Sequence, residues 1–130
     1  MNSFDFSSIE NAQFKALAQK CNLLAAPLIL LGLYHLSHTI APELYSPIKL
    51  PRYMIIMAIV EIFGLIAAYF LLCASRSYVA IVKTQGADIP LLIIGNEQLR
   101  TGLNCLCIAL FLYSARHFLG SFVLIPIIEN

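Results

Sequence analysis

Charge is the scarcest thing in this sequence: Asp, Glu, Lys and Arg make up 12% of its 130 residues, about half their share in an ordinary soluble domain. A soluble globule of this length buries only about two-thirds of its unfolded surface. With 60% hydrophobic residues it would leave a large apolar area in water. The shortage of charge therefore argues against a water-soluble domain, and a mean hydropathy of +0.83 points to lipid as the solvent. An excess of one sign is also missing. Eight basic and seven acidic residues leave a net charge of +1, and the scattered basic residues offer no field that could hold a polyanion. Nucleic acid is excluded as a partner.

Catalytic signatures are absent as well. The sequence has no Gly-rich phosphate loop, no G-x-S-x-G elbow, no H-E-x-x-H pair and no loop long enough to house a soluble active site, so no enzyme is expected. Four cysteines, Cys21, Cys73, Cys105 and Cys107, include no C-x-x-C. Residues 105 and 107 would point about 200° apart on a helix and cannot share an ion from one face. All four are expected to be buried thiols acting as small apolar residues, and no metal or other cofactor is expected.

What the sequence does contain is long uncharged stretches, and these locate candidate membrane spans, because a formal charge at bilayer depth costs several kcal/mol. No charge lies between Lys20 and Glu43, which places a first span at 23–40. Between Arg52 and Arg76 only Glu61 is charged, and the run 54–73 has the roughly 20 residues needed to cross a core of about 30 Å. Between Arg100 and Glu129 only Arg116 is charged, which gives a third span at 103–125, ending before Pro126. The fold class expected is all-α: a polytopic helical integral membrane protein of three transmembrane helices in a single membrane domain, 1–130.

The stretch Tyr78 to Gly95 is harder to place. It carries Lys83, Asp88, Gly86 and Pro90, and its uninterrupted apolar part is too short to cross, so 76–102 is expected to be a cytoplasmic or re-entrant loop. A four-span alternative would need Lys83 and Asp88 to face other helices. Residues 1–22 are expected to form a polar, amphipathic N-terminal helix. Ser7 and Glu10 stand in capping-box spacing, and Phe14, Leu17, Cys21 and Leu24 recur at helical intervals. That helix would run into the first span, bent at Pro27, and nothing in it has the pattern of a cleaved signal. Lys15, Lys20, Arg76, Lys83 and Arg100 fall on one side and Lys49 and Arg52 on the other, five against two, which puts the N-terminus in the cytoplasm.

Polar groups inside the spans are the candidates for function. Glu61 and Arg116 each interrupt an apolar run, at depths that permit an ion pair holding the second and third spans together or, as the sharper alternative, a proton or ion path. Gly64 and Ala68 have small-xxx-small spacing and Gly120 offers a similar notch, so these three are candidate helix-packing positions. His35, His38 and His117 would lie in the same half of the bilayer and are the weak candidates for holding haem; Tyr34 beside the first two suits an interfacial helix end instead. The expected role is a small non-catalytic subunit of a larger membrane assembly, with the lipid bilayer and other membrane-protein subunits, or copies of itself, as partners. The alternatives are an oligomeric transporter or pore for a small solute or ion, and a haem- or quinone-binding anchor of a redox complex.

Overall fold

The computed structural model describes residues 6–40, 52–84 and 88–123, with the side chains of 36, 39–40, 52–55, 88, 116–117 and 119–123 excepted. Three helices make up nearly all of it: α1 (Ser8–Ile40), α2 (Arg52–Lys83) and α3 (Asp88–Val123). The start of α1 is the capping box expected. The Ser7 amide and hydroxyl donate to Glu10 Oε2 at 2.8 and 2.7 Å, and the Glu10 amide approaches the Ser7 hydroxyl at 3.4 Å. From there α1 runs through Pro27 as one helix, although Pro27 has no N–H to offer the carbonyl four residues back.

The loop expected at 76–102 is corrected by the structure. Residues 76–83 continue α2, residues 88–102 open α3, and only 84–87 connect them. Pro90 is compatible with this because it sits in the first turn of α3, where backbone amides have no intrahelical partner to lose. Tyr78 to Gly95, the stretch a fourth span would need, is divided between two helices. Gly86 lies outside the described residues.

Successive helices run antiparallel, with α2 in the middle: it packs against α1 on one flank and α3 on the other, while α1 and α3 make no close approach to each other among the described residues. Small residues at seven-residue intervals set both contacts. On α1 these are Ala18, Ala25 and Gly32, with Cys21 on the same stripe; on α3 they are Gly95, Gly102 and Ala109, and all seven are buried. Facing them, α2 presents Ala68, Leu71, Ala74, Tyr78 and Ile81, all buried. The seven-residue recurrence keeps one seam aligned along helices that cross at a shallow angle. Two helices, over Ser8–His35 and Ile56–Lys83, are long and apolar enough to cross a membrane, and only 22% of the most apolar stretch of each is buried.

Candidate functional site

The polar centre of the molecule follows from one close approach. A Cβ added to Gly32 would stand 2.8 Å from Leu65 Cδ2, so the Leu65 side chain of α2 lies directly against the α1 backbone there. Because the helices are antiparallel, the residue one turn beyond Gly32 on α1 faces the residue one turn before Leu65 on α2. These are His35 and Glu61. His35 Nδ1 lies 4.0 Å from Glu61 Oε1, with the His35 side chain 48% exposed and that of Glu61 only 4%.

At 4.0 Å this contact is too long for a hydrogen bond and close enough for charge attraction when the imidazole is protonated. Glu61 Oε2 is buried with no hydrogen-bond partner among the described residues. A carboxylate in that condition is costly unless a cation or a donor matches it. His35 is the cation source within reach, and its half-exposed ring connects the buried carboxyl to the outside. Tyr34 flanks it: its ring centroid is 5.3 Å from that of His35 and 4.6 Å from that of His38, both edge-on.

The expected partner of Glu61, Arg116, lies on α3 with its side chain outside the described residues, as do the side chains of His117 and the notch residue Gly120. Of the three histidines considered for haem, the two described ones are placed against Glu61 and Tyr34. Among the described residues no cluster of three His, Cys, Asp or Glu side chains could hold a metal ion.

The other packing candidates divide. Ala68 is fully buried in the core, but a Cβ on Gly64 would meet nothing within 4 Å, so among the described residues the expected Gly64–Ala68 notch is filled at Ala68 and open at Gly64. Glu61, three residues before Gly64, does face α1. Three residues on a helix turn the side chain about 60° away from the starting direction, enough to carry Gly64 to the edge of the seam. The glycines that do admit a neighbour are Gly32, Gly95 and Gly102. A Cβ on Gly102 would stand 3.2 Å from the Ala67 carbonyl oxygen and 3.3 Å from Phe70 Cβ. The thiols also divide: Cys21 is buried, Cys73 and Cys105 are half-buried, and Cys107 is exposed, contrary to the expectation that all four are buried.

A second polar contact, missed in the sequence, ties the other end of the bundle. The Tyr78 hydroxyl donates to Asn96 Oδ1 at 2.7 Å, and the Ser77 hydroxyl to Gln98 Oε1 at 2.9 Å. Phe14 of α1 stacks on the far side of this layer, its ring 6.1 Å from that of Tyr78 and nearly parallel to it. Asn96 and Gln98 read naturally as loop residues, and only their helical placement two to three turns after the start of α3 brings them against α2. No protein-family model, curated protein or solved structure matches the chain.

Proposed function

We propose that this chain is a non-catalytic, multi-pass integral-membrane subunit that assembles with other membrane-protein chains or with copies of itself. The observation that carries this reading is the open arrangement of long apolar helices. Among the described residues the two flanking helices each touch only α2, and the apolar stretches of α1 and α2 are about four-fifths unburied. Leu23, Leu30 and Phe111 are each at least 70% exposed. The core helix of a soluble protein would be mostly covered; these surfaces are stable only against lipid or another chain.

Lipid alone could cover the leucines and phenylalanines. Gly64, with open space where a side chain would stand, and the Glu61 oxygen that has no partner among the described residues favour a protein neighbour, since small residues and intramembrane polar groups are what membrane helices use to associate. The basic residues support the orientation: the antiparallel packing collects Lys15, Lys20, Arg76, Lys83 and Arg100 at one end, which is the cytoplasmic end by the positive-inside rule. Native mass spectrometry of the protein released from mild detergent tests the assembly. A stable oligomer or a co-purifying partner is expected, and Gly64→Leu should weaken it while the single chain stays folded. A lone monomer would overturn the subunit reading.

A second reading, an oligomeric transporter or pore, is favoured by the Glu61–His35 pair alone, because a buried carboxyl beside a half-exposed imidazole is a feasible proton relay. Under that reading Glu61→Gln folds and assembles normally and abolishes solute flux into proteoliposomes.

A further inference from the structure

We propose that the groove on α2 beside Asn22 of α1 seats an anionic glycerophospholipid, its phosphate held between Arg76 and Lys83 and its acyl chain lying over Leu72. This rests on the membrane reading given above. The groove encloses about 380 Å³; its polar lining is Asn22, Ser75, Arg76 and Lys83, and its apolar wall includes Leu72 and Val79. Both basic side chains are exposed, and neither is ion-paired to a carboxylate among the described residues.

The spacing of these groups matches the layering of a bilayer. From residue 53 to residue 75 α2 carries no charge but Glu61, and at 1.5 Å per residue this run covers roughly 33 Å, about the thickness of the hydrocarbon core. Arg76 therefore stands at the core boundary. Lys83, seven residues on, stands roughly 10 Å further out along the helix, just past a headgroup layer of about 5–8 Å per leaflet. Leu72, one turn inward from Arg76, is already at hydrocarbon depth. Two cations bracketing the headgroup layer above an apolar wall match the parts of an anionic phospholipid in their order along the membrane normal.

The charge around the groove is one-sided. Lys15 and Lys20 of α1 and Arg100 of α3 belong to the same end of the bundle. Of the acidic residues described there, Glu10 is engaged by Ser7, and Glu97 lies on α3, exposed, outside the groove lining. A free inorganic anion would gain nothing from Leu72 and Val79, and a zwitterionic lipid would gain little from the two cations. Each basic residue near a membrane surface favours an anionic lipid by about fivefold.

The test offers the purified, delipidated full-length protein equal amounts of dioleoyl phosphatidylglycerol and dioleoyl phosphatidylcholine and counts retained lipids by native mass spectrometry. A preference of about 25-fold for phosphatidylglycerol is expected from the two residues together, with the double variant Arg76→Gln, Lys83→Gln falling to within about twofold of parity and Arg100→Gln retaining the preference. Should the double variant not fold, a photoactivatable phosphatidylglycerol on the wild-type protein gives a second readout, with crosslinks expected within residues 72–83. Equal retention of the two lipids by the wild type, or crosslinks confined to α3, would overturn the proposal. Displacement of phosphatidylglycerol by millimolar inorganic phosphate would overturn it in favour of a soluble anion. Flotation with liposomes separates the two levels of inference: a chain that floats but shows no lipid preference refutes the groove alone, and a chain that does not float refutes the membrane reading with it.

Discussion

Three glycines in comparable helical settings allow packing to be separated from helix propensity. Gly32, Gly64 and Gly102 all lie in helix interiors, so replacing each by alanine brings the same intrinsic gain of about 1 kcal/mol. What differs is the space awaiting the methyl group. At Gly64 there is nothing within 4 Å, and the full gain should appear as stabilisation of the single chain. At Gly32 the nearest atoms are only 2.8 and 2.9 Å away, but they are Cδ2 and Cγ of the Leu65 side chain, which can turn aside as a whole at roughly 0.5–1.5 kcal/mol; the net effect should be close to zero. At Gly102 the contacts are longer, 3.2 and 3.3 Å, yet they are a backbone carbonyl oxygen and a Cβ. Neither can move unless α2 moves, and overpacking of that kind costs about 1–3 kcal/mol.

The expected order of stability is therefore Gly64→Ala first, Gly32→Ala second and Gly102→Ala last, with about 1–3 kcal/mol between the extremes. Ranking by shortest distance would instead put Gly32→Ala last. Reversible unfolding in mixed micelles, at protein dilutions where only monomer is present, reads this order directly. Gly102→Ala as stable as Gly64→Ala would show that α3 does not pack on α2 through that glycine.

Other expectations follow from the same contacts. With the four native cysteines replaced by alanine, single cysteines at Thr84 and Glu129 should be labelled from opposite sides of sealed vesicles, since three crossings separate those positions by one; labelling from the same side would require a fourth. Ser7→Ala should accelerate amide exchange in the first turn of α1 severalfold by removing the cap. The Ser7 hydroxyl, and after it the Ser7 amide, hold the Glu10 carboxyl below its ordinary value. The stabilisation this brings is complete above the ordinary carboxylate range and lost as pH falls through the lowered value, so protection of these amides relative to their intrinsic exchange rates should fall in acid in the wild type, while Ser7→Ala shows a flatter pH profile. Arg116→Gln should destabilise by a few kcal/mol if Arg116 also matches Glu61; in that case Glu61→Arg with Arg116→Glu recovers much of the loss, and normal folding of Arg116→Gln excludes the pairing.

How much of this was legible in the sequence depends on which physical signal was carrying the information. Gaps between formal charges pick out three apolar runs, each of which falls on a helix over its described residues, and two of the three helices are long and apolar enough to cross a membrane; desolvating a charge is costly enough to shape local composition. The same signal could not find helix ends. It reports where a chain avoids charge, and a helix that leaves the apolar zone can carry Lys83, Glu97 and Arg100 at no penalty, so 76–102 read as a loop. Ser7 and Glu10 were legible because a capping box is a local, short-range pattern. The seams were not. Small residues are common in apolar helices, and Gly64–Ala68 looks as much like a contact as Gly95–Gly102 does until the neighbouring helix is present to distinguish them.

The polar contacts depend on those seams, and this gives the pair at Glu61 its structural logic. Asn96 reaches Tyr78 from the position next to Gly95, and His35 reaches Glu61 from one turn beyond Gly32. In each case a glycine removes the side chain that would hold the helices apart, and a polar group close to it in the chain closes the gap. Gly32 and His35 should therefore be energetically coupled although they do not touch. Gly32→Leu forces the α1 and α2 backbones apart at Leu65 and lengthens a His35–Glu61 distance that already stands at 4.0 Å. Once the pair is broken, His35→Gln has little left to remove. In a double-mutant cycle the combined variant should be less destabilised than the sum of the single ones by about 0.5–3 kcal/mol, the range found for residues sharing one contact. Strict additivity would mean that His35 stabilises α1 through its edge-on contact with Tyr34 rather than through Glu61, and the buried carboxyl would then need its match from outside this pair of helices.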